Sequence, residues 1–137
     1  MKHSVMLTIA SLLSILFMTF HLTDDIVRGM KPGTLSDLSA VPILVVWLYG
    51  TLVLAERRSG YVIILLGSLL GLVVPFIHMK GAGVGGAIAK SSGAFFFIWT
   101  LLALGVSALF SVVLSVRGLW EYLPRRTAGQ HKQGARA

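Results

Sequence analysis

Four stretches of this chain, at about 4–22, 40–55, 61–79 and 94–116, contain no Asp, Glu, Lys or Arg. An apolar run of about 18 residues or more points to a bilayer-spanning helix, because roughly 20 residues at 1.5 Å each cross the hydrocarbon. No water is available in lipid to satisfy backbone N–H and C=O groups, so such runs should be helical. Alternating strands of about ten residues are absent, which excludes an outer-membrane barrel. Composition agrees: 55% of the 137 residues are hydrophobic and only 12% charged, against about a quarter charged in a soluble domain.

The expected fold is therefore all-α: an integral membrane four-helix antiparallel bundle, up-down-up-down. Its spans fall at about 4–22, 38–56, 61–79 and 94–116 of a transmembrane domain over 1–123, followed by a basic tail over 124–137. The tail is expected to be disordered. The first run is read as a retained helix rather than a signal peptide. It exceeds a typical apolar h-region, and no small-x-small cleavage pattern precedes Asp24.

The connections carry the breaker residues. Lys31-Pro32-Gly33 ends a helix, and Ser36 or Ser39 can cap the next, whose first turn accommodates Pro42. Glu56-Arg57-Arg58-Ser59-Gly60 is so short that the second and third helices must form an antiparallel hairpin. Pro75 should bend the end of the third helix, and Ser91 or Ser92 is a candidate cap for the fourth.

Lys and Arg are distributed unevenly across the alternating connections. The amino end, the 56–60 turn and the carboxyl tail share one side and carry eight: Lys2, Arg57, Arg58, Arg117, Arg125, Arg126, Lys132 and Arg136. The other two connections carry four: Arg28, Lys31, Lys80 and Lys90. The positive-inside rule then places both termini in the cytoplasm. The same bias accounts for the net charge of +7 without a nucleic-acid partner, since the basic residues flank apolar runs instead of forming one surface. The lipid bilayer is the partner this chain requires.

Without cysteine there can be no disulfide relay, thiolate metal site or iron–sulfur cluster. The apolar runs hold no carboxylate, which argues against the small proton-coupled exporters. Gly81-Ala82-Gly83-Val84-Gly85-Gly86 fits G-x-G-x-x-G but follows a membrane run, outside the βαβ context that a dinucleotide fingerprint needs. No nucleophile–base–acid set can be assembled, so no catalytic residue is assigned.

Helix packing is the expected role of Gly67 and Gly71, and of Ala103, Ser107, Ser111 and Ser115, which recur every four residues. Ser4, Thr8, Ser11 and Ser14 form a similar set in the first helix. Trp47 and Tyr49 are expected to pack, with a hydroxyl bonded to a neighbouring serine.

Alternating helix direction puts the ends of the first and third helices at one depth, and with them His21 and His78. If the first helix continues, Asp24 and Asp25 share a face with His21, and Arg28 can pair with Asp24. His21, Asp24, Asp25 and His78 are thus the candidate metal ligands, for a divalent cation or a haem; the competing reading is polar residues that merely end apolar helices. Lys80 would oppose a bound cation unless it points away.

The segments 21–29, 47–54 and 95–120 resemble those of uncharacterised small four-helix bacterial integral membrane proteins. The resemblance implies four spans and a bacterial cytoplasmic (inner) membrane location, and brings no activity or ligand. The expected function is a non-enzymatic accessory or structural membrane component, self-associating or bound to a membrane-protein partner, with no cofactor required. The alternatives are a small transporter or channel using the outer His/Asp cluster, and a metal- or cofactor-holding subunit.

Overall fold

The computed structural model describes residues 2–30, 38–79 and 86–134, and only the backbone of 87, 89 and 122–134. Four α-helices make up the fold: α1 (His3–Val27), α2 (Ala40–Leu52), α3 (Arg58–His78) and α4 (Ala94–Gly134), with a 3₁₀ turn at Ala87–Lys90 and no strand among the described residues. Three of them, α1, α3 and the Ala94–Glu121 part of α4, are long and apolar enough to cross a membrane.

The fourth helix departs from expectation. The second apolar run was expected to be helical over 38–56, yet α2 has only 13 residues, a rise of about 20 Å. It ends early because the chain turns back at once: Arg57 N–H donates to Leu54 O at 2.8 Å, and Gly60 packs directly on that carbonyl, where any Cβ would collide. Conversely, α4 continues beyond 116, and the 124–134 part of the tail expected to be disordered has a helical backbone. The Lys31-Pro32-Gly33 break, Ser36, Lys80 and the 81–85 part of the glycine loop lie outside the described residues.

α1 also runs past the expected end at Leu22. Its stop is Gly29, at φ 72°, a left-handed conformation that glycine adopts without a Cβ clash. Met30 N–H then reaches Asp25 O and Gly29 N–H reaches Ile26 O, the paired bonds of a Schellman C-cap. The extra turns carry Asp24 and Asp25. At the starts of α2 and α4, Ser39 makes no side-chain cap bond, and Gly93, at φ 78°, takes the place before α4 expected for Ser91 or Ser92.

Cross-contacts give the directions of the helices. Ser68 meets Ser111 and Tyr61 packs on Gly118, so α3 and α4 run in opposite senses. Ser14 meets Ser107 while Arg28 meets Gly93, so α1 and α4 do likewise. α1 and α3 run together, His3 lying beside Tyr61 and His21 beside His78.

The polarity of the fold is inverted relative to a soluble bundle. Ser11, Ser14, Thr51, Ser68, Thr100, Ser107, Ser111 and Ser115 are buried, whereas most large apolar side chains face outward. Most of these hydroxyls bond one another, while Thr100 donates to carbonyls of its own helix and Ser115 Oγ has no partner among the described residues. Trp47 Nε1 donates to Ser11 Oγ at 2.9 Å, and Ser11 shares a 2.7 Å bond with Thr51. Ser68 donates to Ser111 at 2.7 Å and Ser14 to Ser107 at 3.2 Å. Trp47 therefore packs as expected, but Tyr49 is exposed.

Gly67 and Gly71 have separate roles. A Cβ at Gly67 would run into the ring of Trp47, which is 2% exposed and held by Ser11. A Cβ at Gly71 would lie 3.3 Å from Leu104 Cδ1 and 3.4 Å from Ala108 Cβ, a tight contact that a leucine methyl can relieve. Gly67→Ala should thus destabilise the protein by about 2 kcal/mol, in the range of core overpacking, and Gly71→Ala by less than about 1 kcal/mol. Thermal unfolding in mild detergent, followed by circular dichroism, checks the order.

Candidate functional site

The ends of α1 and α3 meet at a buried cluster. One helical turn separates His21 from Asp25 on α1, so both face inward, and α3 brings His78 to the same place from its last turn. His21 Nε2 and His78 Nε2 each stand 3.5 Å from the same carboxylate oxygen, Asp25 Oδ2. The imidazole rings meet edge to face, with centroids 4.5 Å apart. Side-chain exposure is 1% for His21, 4% for Asp25 and 16% for His78.

These separations are longer than the 2.7–3.2 Å of a well-formed N–H···O bond. The other carboxylate oxygen, Asp25 Oδ1, is buried with no hydrogen-bond partner among the described residues. His78 is oriented from behind: its Nδ1 lies 3.0 Å from Val74 O. A carbonyl can only accept, so Nδ1 carries the proton, and in the neutral ring Nε2 presents its lone pair on the side facing Asp25.

The surroundings favour positive charge. α1 and α3 both end here, and a helix C-terminus carries the equivalent of roughly half a negative charge. The carboxylate of Asp25 adds a full one. Behind it lies an apolar wall: Phe97, fully buried, has its ring 5.8 Å from each imidazole, with Ile88 and Leu101 packed against it.

Of the four residues expected to gather, His21, Asp25 and His78 do so, and all three offer a ligand atom within 4.8 Å of the others. Asp24 is the exception. It turns to the side and binds Arg28 Nε at 2.7 Å, so its charge is already matched. Arg28 also donates to Ser91 Oγ at 2.9 Å, to Ser92 O at 3.3 Å and to Gly93 O at 2.9 Å, and lies 5.7 Å over the Phe97 ring. This strap from α1 to the start of α4 holds Phe97 against the histidines.

The packing stripe on α4 divides. Ser107, Ser111 and Ser115 are buried and Ala103 only half-buried. Residues four apart drift about 40° around a helix, so Ser107 addresses Ser14 of α1 and Ser111 addresses Ser68 of α3. Phe97 and the reach of Arg28 were not foreseen; nothing distinguishes Phe97 from Phe95 and Phe96 in sequence. The chain matches no protein-family model, no curated protein and no solved structure.

Arg28 forks to four partners, a geometry that the point charge of lysine cannot reproduce. Arg28→Lys should therefore cost about 1–3 kcal/mol, the scale of charge-assisted hydrogen bonds, and Asp24→Asn less. Comparing unfolding midpoints in detergent tests this, and an Arg28→Lys midpoint equal to the parent's would remove the strap from the account.

Proposed function

We propose that this protein is a non-enzymatic accessory component of a bacterial cytoplasmic membrane, with four spans up-down-up-down, both termini cytoplasmic and the His21–Asp25–His78 cluster on the outer side. One observation carries the reading: hydroxyl side chains are turned inward along the helices, large apolar side chains face outward, and a buried His/Asp cluster sits where α1 and α3 end. The short α2 takes part as a span by bilayer thinning or by its flanking residues, both of modest cost.

The accessory role is supported by what fills the interior. Between the Ser14–Ser107 pair and the cluster lies an apolar layer of Met18, Trp47 and Leu104, packed by Phe17 and Val74. A transporter using the cluster as its mouth would need polar groups at that depth.

The absence of native cysteine makes the topology directly testable. Ser92→Cys should react with a membrane-impermeant maleimide in intact cells, and Arg57→Cys only after permeabilisation; the reverse pattern would overturn the orientation. In proteoliposomes, proton and zinc flux should equal that of empty liposomes. A protein-dependent flux lost in Asp25→Ala would replace the accessory reading with transport.

A further inference from the structure

The cluster at the helix ends is better built for an occupant than for its own contacts. Asp25 is buried and its Oδ1 has no hydrogen-bond partner among the described residues. Two imidazole nitrogens stand 3.5 Å from Oδ2, beyond a well-formed hydrogen bond yet closer than unrelated buried polar groups need to be. Leaving a buried carboxylate oxygen unmatched is costly, and Arg28, the nearby guanidinium, is committed to Asp24 and the start of α4.

From these observations we infer that His21, Asp25 and His78 form a binding site for one divalent transition-metal ion of the zinc class. Zn–N and Zn–O distances of about 2.0–2.1 Å at tetrahedral angles put neighbouring ligand atoms about 3.3 Å apart. Two edges of the triad measure 3.5 Å, and the third lies within 4.8 Å. His78, the least buried of the three, closes that third edge by a small swing of its ring. Its Nδ1···Val74 O contact is the second-shell bond that orients metal-ligating histidines and fixes Nε2 as the donor atom.

The donor set also selects the ion. Two imidazoles and one carboxylate suit zinc and its borderline neighbours, whereas Ca²⁺ and Mg²⁺ require about six or more oxygen ligands. Three protein ligands leave a fourth position for water or an incoming group. The negative ends of α1 and α3 add to the attraction. Asp24 takes no part, because Arg28 holds it.

This inference goes beyond the accessory reading and does not depend on it: the triad is the same whichever side of the membrane the helix ends occupy. The test uses the full chain, purified in mild detergent without a polyhistidine tag, stripped with chelator, reloaded with Zn²⁺ and gel-filtered. One zinc per chain is expected by elemental analysis, together with a zinc-dependent rise in the unfolding midpoint. Asp25→Asn and His78→Gln should each weaken zinc binding more than tenfold, while His3→Ala, at the opposite end of α1, should leave it within about twofold, in line with the sensitivity of metal sites to their ligand shells.

Cobalt substitution reads the geometry in the unmutated chain, so the test survives a variant that does not fold. Intense visible bands of tetrahedral Co²⁺, displaced by Zn²⁺, are expected. A parent protein of native circular dichroism that retains no zinc and gives no such bands would overturn the inference, as would zinc bound equally well by folded Asp25→Asn and His78→Gln. Neither result would bear on the topology assay.

Discussion

Hydrogen bonds between small hydroxyls hold the interior of this molecule together. Where the surroundings are as apolar as the side chains, burying leucine against leucine gains little, and helices associate through close approach and polar contacts instead. Ser68–Ser111, Ser14–Ser107 and the Trp47–Ser11–Thr51 chain link all four helices in this way. Each contact requires the backbones to come near, which small residues permit. Gly67 does the same for the one large polar ring in the centre, opening the space that Trp47 fills.

The cluster at the ends of α1 and α3 follows the opposite logic. Hydroxyls can be buried at low cost because each both donates and accepts. A carboxylate only accepts, and the two imidazoles beside Asp25 stand off at 3.5 Å. The site is held open by Val74 O behind His78, by the Arg28 strap and by the rigid face of Phe97. The Asp25 carboxylate and the polarity of the two helix ends favour a cation there.

Much of the fold was legible because period and charge are local properties. The runs without Asp, Glu, Lys or Arg located all four helices, and the depth argument brought His21 and His78 together. Boundaries were harder. The Schellman stop at Gly29 was available in the sequence as a glycine after a polar turn, but the drop in hydropathy after Leu22 masked it. The shortness of α2 depends on Gly60 of α3 fitting against Leu54 O in the turn that follows α2, a contact that no single-helix pattern encodes. The choice between Asp24 and Asp25 was likewise undetermined. Both lie near the His21 face, and only the positions of α3 and α4 decide which carboxylate turns inward and which meets Arg28.

If the four helices span a bilayer as proposed, the length of α2 has a consequence for the surrounding lipid. Its 13 residues form an apolar cylinder about 10 Å shorter than a hydrocarbon layer of about 30 Å. Bilayer leaflets are elastic, and a bundle with three full-length sides and one short side would pucker them locally along α2, at a fraction of a kcal/mol per ångström. Two such bundles brought together with their short sides facing would share a single dimple and relieve part of that deformation. Membrane elasticity alone would then give this protein a preferred face for meeting another copy, with no specific contact between the two required.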